Sequence, residues 1–134
     1  MAKELKVGDK ASVTHTFTED QVKTFAEVST DKNPLHLDEA YAADTIFGER
    51  IVHGMFVGSL FSALIGMELP GEGTIYMGQS LSFKRPVKIG ETVKATVEVI
   101  AIKPTKPIAT LRTFCENEEG KLVIDGEAIV KFRD

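Results

Sequence analysis

Two histidine clusters carry most of the chemistry in this chain of 134 residues. The first is Ser29-Thr30-Asp31-Lys32-Asn33-Pro34-Leu35-His36. It sets a carboxylate and an imidazole five positions apart, across a segment that Pro34 stiffens. Stiffness suits general acid–base work, because a proton-transferring pair is effective only when held close to its productive geometry. An unperturbed imidazole titrates near ~6.5, so it takes or gives a proton at neutral pH, and a nearby carboxylate can orient it or share the work. The same residues have a plainer reading, with Asp31 and Asn33 as turn or helix-stop residues and His36 incidental. No Cys or third His stands nearby at ligand spacing, so no metal is expected here.

The second cluster is Arg50-Ile51-Val52-His53-Gly54-Met55, which opens an uncharged stretch. Gly54 has no Cβ, so a ligand could approach its backbone closely. If a helix starts there, its first N–H groups attract negative charge, including an oxyanion developing on a carbonyl. The plainer reading is that His53 and Gly54 cap the helix. The third histidine, His15, lies between two threonines and reads as a half-exposed strand residue.

Several elements must position these clusters. Ala11 to Phe17 reads as a strand. Thr18-x-x-Gln21 is a capping box, and Val22, Phe25, Ala26 and Ser29 follow at helical spacing. Asn33-Pro34 ends any helix nearby. Asp38 is a plausible cap for a short helix from Glu39 to about Thr45. Ile51 to Met67 contains no Asp, Glu, Lys or Arg and is apolar all round, which predicts a helix buried on every side. Its 17 residues fall short of the ~20 that a membrane span needs, so it reads as a core helix. Period-two runs follow at Ile75 to Phe83, Thr92 to Ile102, Ile108 to Cys115 and Leu122 to Phe132, with a turn at Glu118-Glu119-Gly120-Lys121. Helices grouped apart from an antiparallel run predict an α+β domain. The arrangement expected is a hot-dog fold, one long buried helix wrapped by a curved antiparallel sheet, in a single domain over residues 1–134.

Composition narrows the function classes. The net charge of −4 argues against a general nucleic-acid binder. One cysteine, Cys115, excludes an internal disulfide framework. The first ten residues mix both charges without an apolar core, so no signal or transit peptide is expected and the cytoplasm is the default location.

Together the two clusters resemble the R-specific enoyl-CoA hydratases of the MaoC-like, hydratase 2 group. The group's motif runs [Ser/Gly]-Gly-Asp-x-Asn-Pro-[Leu/Ile]-His with a small residue six positions on, here Ala42. Ile51-Val52-His53-Gly54-Met55 and the later Gly78-Gln79-Ser80-Leu81-Ser82-Phe83-Lys84-Arg85-Pro86-Val87 also match. The likeness runs from about residue 8 to the C-terminus and is closest to the short bacterial monofunctional members. One departure is Thr30, where the group often has Gly.

The resemblance implies that Asp31 and His36 activate one water between them, which adds to C3 of a trans-2-enoyl thioester while a proton goes to C2. Gly54 N–H would hold the thioester oxygen, and Asn33, His53 and Ser62 would support the site. The product would be a (3R)-3-hydroxyacyl-CoA, for β-oxidation or polyhydroxyalkanoate monomer supply. No metal or redox cofactor is implied, and the group is homodimeric with CoA near the subunit boundary. Pairing would also cover the edge strands of an open sheet.

Two features bear on the substrate without the family. Between Lys84 and Lys106 six basic residues stand against Glu91 and Glu98, a local excess suited to phosphate capture, with Lys84, Arg85 and Lys88 as the candidate CoA contacts. Ser62 and Ile65 lie one turn apart on the apolar helix, and with Met55 and Val130 they are candidates for an acyl pocket. A buried Ser62 hydroxyl would need a partner, for which Asp31 is a candidate. Three other readings share the fold: a 3-hydroxyacyl-ACP dehydratase, a thioesterase and a non-catalytic acyl-CoA binding subunit. A hot-dog thioesterase usually carries its carboxylate on the central helix, and Ile51 to Met67 has none.

Overall fold

The computed structural model describes residues 4–133. Strand β1 (Lys10–Thr16) leads into helix α1 (Glu19–Ser29). The capping box forms as expected, since Gln21 N–H donates to Thr18 Oγ1 and the Gln21 side chain accepts from Thr18 N–H. Two short helices follow, α2 (Pro34–Leu37) and α3 (Glu39–Ala43), then the long helix α4 (Gly54–Met67). The sheet is completed by β2 (Ile75–Gln79), β3 (Ser82–Phe83), β4 (Thr92–Ile102), β5 (Ile108–Asn117) and β6 (Leu122–Lys131).

The strand order is β1-β4-β5-β6-β2, antiparallel throughout, with β3 also pairing on β6. Alternation sets the buried face: Val93, Ala95, Val97 and Val99 of β4 point inward, as do Ala109, Leu111 and Cys115 of β5. Helix α4 lays Val57, Leu60, Phe61, Leu64 and Ile65 against this face, and all belong to one core cluster. Each such side chain, fully buried, contributes about 1.5–3 kcal/mol. This is the hot-dog arrangement.

Four expectations are corrected. First, α4 is not buried all round: Val57, Leu60, Phe61, Leu64 and Ile65 form an i, i+3, i+4 stripe, and Met55, Ser59, Ser62, Ala63 and Met67 fall on the open face. Second, the helix starts at Gly54 rather than Ile51, because the backbone before it joins the sheet margin. Ile51 bridges Lys88, and Val52 N–H donates to the Val87 carbonyl. Third, Ile75 to Phe83 is broken into β2 and β3. The register shifts between Tyr76 and Gly78, and the chain then crosses β6 so closely that a Cβ on Gly126 would collide with the Ser80 carbonyl. Fourth, Asn33-Pro34 also starts a helix. Pro34 takes a first-turn position where its missing N–H costs nothing.

Candidate active site

The first cluster is a chain of local hydrogen bonds. Helix α1 ends with Thr30 as its C-cap, in the left-handed region at φ 66°. Asp31 N–H donates to Ser29 Oγ at 3.1 Å, and Asn33 N–H to Asp31 Oδ1 at 3.2 Å. Asn33 in turn N-caps α2, accepting from Leu35 N–H at 3.1 Å. The plainer reading of Asp31 and Asn33 as turn residues is therefore correct for one carboxylate oxygen and one amide. The same turn places His36 on α2, 8% exposed, with Asp31 on the rim.

The tautomer of His36 follows from its partner. Its Nδ1 lies 2.7 Å from the Ile51 carbonyl, which can only accept, so Nδ1 carries the proton. Nε2 then holds a lone pair, as a general base requires. Burial pushes the His36 imidazole below its ordinary value; the Ile51 bond offsets part of this, His53 adds to the fall, and Asp31 opposes it. A ring neutral at physiological pH is the result.

The second cluster arrives from 15 to 22 positions downstream. His53, 2% exposed, donates from Nε2 to the Asp31 carbonyl at 2.9 Å and stacks on His36 with ring centroids 3.8 Å apart. Phe25 packs against His53 at 4.9 Å. His53 precedes the first residue of α4 and makes no side-chain cap; its carbonyl takes Phe56 N–H at 3.0 Å, which leaves Gly54 and Met55 N–H as the helix-end donors. Gly54 stands at that turn beside the Phe83 ring, where a Cβ would come within 2.6 Å of Cε1.

Asp31, His36, His53 and Gly54 line one cavity of about 440 Å³, with Met55, Phe83, Lys84 and Arg85 on its wall and Val57 and Ile124 among its apolar lining. Carboxylate, uncharged imidazole and helix N-terminus thus meet at a half-apolar pocket. Such a set can polarise a carbonyl and move a proton to or from a water beside it.

The chain matches the model of the MaoC like domain over residues 2–116. It belongs to the MaoC-like family. An (R)-specific enoyl-CoA hydratase from Aeromonas caviae is 54% identical over 130 residues, 97% of each chain. One from Rhodospirillum rubrum is 48% identical over 127 residues, covering 95% of this chain and 88% of that one. A solved structure described as the (R)-hydratase from A. caviae involved in PHA biosynthesis superposes with a TM-score of 0.95 at 53% identity, covering 98% of this chain and all of that one.

Within this MaoC-like site the sequence-derived residues divide. Asp31, His36, His53, Gly54, Met55, Lys84 and Arg85 come together, with Asn33 holding the turn. Ser62 does not: it lies on the open face of α4, so its hydroxyl is exposed and not buried against Asp31. Ile65 and Val130 are core residues, 1% and 0% exposed, and do not line this cavity. Lys88 points to Glu49 at 3.2 Å instead of the cavity. The spacing argument against a metal also needs correction. His53 supplies the third donor, and ligand atoms of Asp31, His36 and His53 lie within 4.8 Å of one another, a set that could hold a divalent ion.

Sequence reasoning gives no site role to Phe83 or Arg50, although Phe83 stands in the Gly78 to Val87 stretch that carries the resemblance and Arg50 heads the second cluster. Nothing in the spacing of Phe83 marks it as a neighbour of Gly54. Arg50 had a signal: it is the last charge before an uncharged run, yet only 8% exposed.

Proposed function

We propose that this protein is an R-specific enoyl-CoA hydratase, adding water to a trans-2-enoyl-CoA to give the (3R)-3-hydroxyacyl-CoA. The observation that carries this reading is the 2.7 Å contact of His36 Nδ1 with the Ile51 carbonyl, which leaves Nε2 as the basic nitrogen of a residue lining the same cavity as Asp31 and Gly54 at the start of α4. The identity to (R)-specific hydratases over nearly the whole chain supports it.

In the reaction, Asp31 and His36 hold one water. As its oxygen bonds to C3, a proton passes to the pair and C2 gains a proton on the same face, so the net change is addition of H and OH across the double bond. As the water oxygen bonds to C3, the C2=C3 π electrons shift toward C1 and negative charge builds on the thioester oxygen, where Gly54 N–H donates to it, until C2 takes its proton; one such donor is typically worth about 3–4 kcal/mol. Lys84 and Arg85 hold phosphates of CoA. Met55 and the apolar cavity wall take the first carbons of the acyl chain. The chemistry needs no metal and no redox cofactor, so chelation leaves the rate unchanged.

The protein works as a homodimer. Met55 and Met67 on the open face of α4 are 63% and 80% exposed, and Ile75, Met77 and Phe83 on the terminal strands exceed half. A second copy would cover both. Light scattering at micromolar concentration is expected to give twice the chain mass.

The direct assay follows loss of enoyl absorbance with crotonyl-CoA and couples the product to R- and S-specific dehydrogenases. Hydration read only by the R-specific enzyme is expected. No hydration by folded protein, or an S product, overturns the reading. A faster reaction with the same acyl group on an acyl carrier protein would favour the dehydratase of fatty-acid synthesis.

A further inference from the structure

The carbonyl of His36 accepts a hydrogen bond from a buried charge. Arg50 Nε donates to it at 2.8 Å, and Arg50 Nη1 donates to Glu19 Oε1 at 2.7 Å, with Glu39 Oε1 at 3.9 Å. The next residue, Ile51, holds the His36 ring through its own carbonyl at 2.7 Å. His36 is therefore gripped twice by neighbouring residues, at its backbone by Arg50 and at its ring by Ile51. That segment is itself fixed to the sheet margin, since Val52 N–H donates to the Val87 carbonyl at 2.7 Å.

Burying a guanidinium is costly unless it is paired and hydrogen-bonded, and Arg50 is only partly repaid, since Nη2 has no partner among the described residues. A buried charge that only filled space would be better replaced by an apolar side chain. The forked donors explain its presence. One prong reaches His36 and the other Glu19, in the first turn of the helix whose far end leads into Asp31. A Lys has one compact ammonium and cannot reproduce the planar fork. Glu19 responds to the pairing, its carboxyl held below the usual range first by the Arg50 hydrogen bond and then by Lys23 and the Arg50 charge.

We propose that Arg50, braced by Glu19, is a positioning residue for hydration: it sets the backbone of His36 so that the imidazole meets the water shared with Asp31. The inference rests on the hydratase reading. It does not touch substrate, so its loss should act on turnover and leave binding nearly alone.

The test compares Arg50→Lys, Arg50→Met and Glu19→Ala with the wild type, using crotonyl-CoA well below each melting temperature. The expected result is a kcat lowered roughly ten- to hundredfold in both Arg50 variants and several-fold in Glu19→Ala, with KM within about threefold of wild type. In parallel, the proton on His36 Nδ1, followed by NMR, is expected to exchange with solvent faster in each variant. A merely structural Arg50 would lower the melting temperature while kcat of the folded protein and the exchange rate stay near wild type, and that overturns the proposal. If the Arg50 variants do not fold, Glu19→Ala decides alone, because Glu19 is exposed on the surface; unchanged kcat and exchange there also overturn it. Absence of hydration by the wild type would instead count against the hydratase reading, and the exchange measurement would still report on the brace.

Discussion

The ring of His53 lies on the ring of His36, centroids 3.8 Å apart and planes inclined by 26°, while its Nε2 donates to the Asp31 carbonyl at 2.9 Å. One side chain thus touches both members of the proton-transferring pair without belonging to it. His53→Phe keeps a ring for His36 to stack on but removes the bond to Asp31. The expected loss is about tenfold in kcat, the value of one buried hydrogen bond of ~1–1.5 kcal/mol, with a lower melting temperature. Full activity in this variant would show that the Asp31 loop holds itself.

His36 predicts a pH profile. Burial lowers its pKa, so the ring stays neutral to below the ordinary ~6.5 and kcat/KM should be flat through neutral pH, falling only on the acid side. Stability follows the same sign. The unfolded chain binds the proton more readily, so the contribution of His36 is complete above ~6.5 and fades as pH falls from there through the folded pKa. Urea midpoints measured across this window should drop in the wild type more than in His36→Gln. An inflection in kcat/KM above ~6.5 would contradict the assignment.

How much of this was legible in the sequence depended on the range of the interactions. The capping box at Thr18, the alternation of β4 and the Asp31/Asn33 turn are set within a few residues, and each formed where its local pattern placed it. The stacking of His53 on His36 and the grip of Arg50 join elements 14 to 17 positions apart, and no local pattern encodes them. Ser62 shows the opposite failure. The apolar run around it suggested burial on every side, but the stripe from Val57 to Ile65 met the sheet and left Ser62 outside. The break between β2 and β3 is likewise set by a crossing over Gly126, 46 residues beyond Ser80 in the chain.

Gly54 and Phe83 should behave as a coupled pair. In Gly54→Ala the new Cβ meets the Phe83 ring at 2.6 Å, and that ring is 54% exposed and free to swing away. Stability should change little, whereas the rearranged mouth of the cavity should cost about tenfold in kcat/KM. Gly54→Ala/Phe83→Ala is expected to recover most of the loss. A double variant no better than Gly54→Ala would mean that Gly54 is needed for another reason.

Thr30 carries backbone strain at the entrance to the site. A β-branched residue at φ 66° is disfavoured by about 1–2 kcal/mol. Thr30→Gly removes that cost and adds an entropic one of ~0.5–1 kcal/mol, so a net gain of up to about 1.5 kcal/mol is expected. Activity should be unchanged, since the Asp31 turn is held by its own hydrogen bonds to Ser29 and Asn33. Chemical denaturation read beside the crotonyl-CoA rate checks both.

The central claim is that Asp31 and His36 together activate one water. It is tested most directly by kcat for crotonyl-CoA hydration in Asp31→Asn and His36→Gln beside the wild type, with melting curves to show that each is folded. The expected result is a loss of roughly 10²–10⁴-fold in each, as for removal of a general acid–base group. A folded variant of either kind that keeps near wild-type turnover would contradict it.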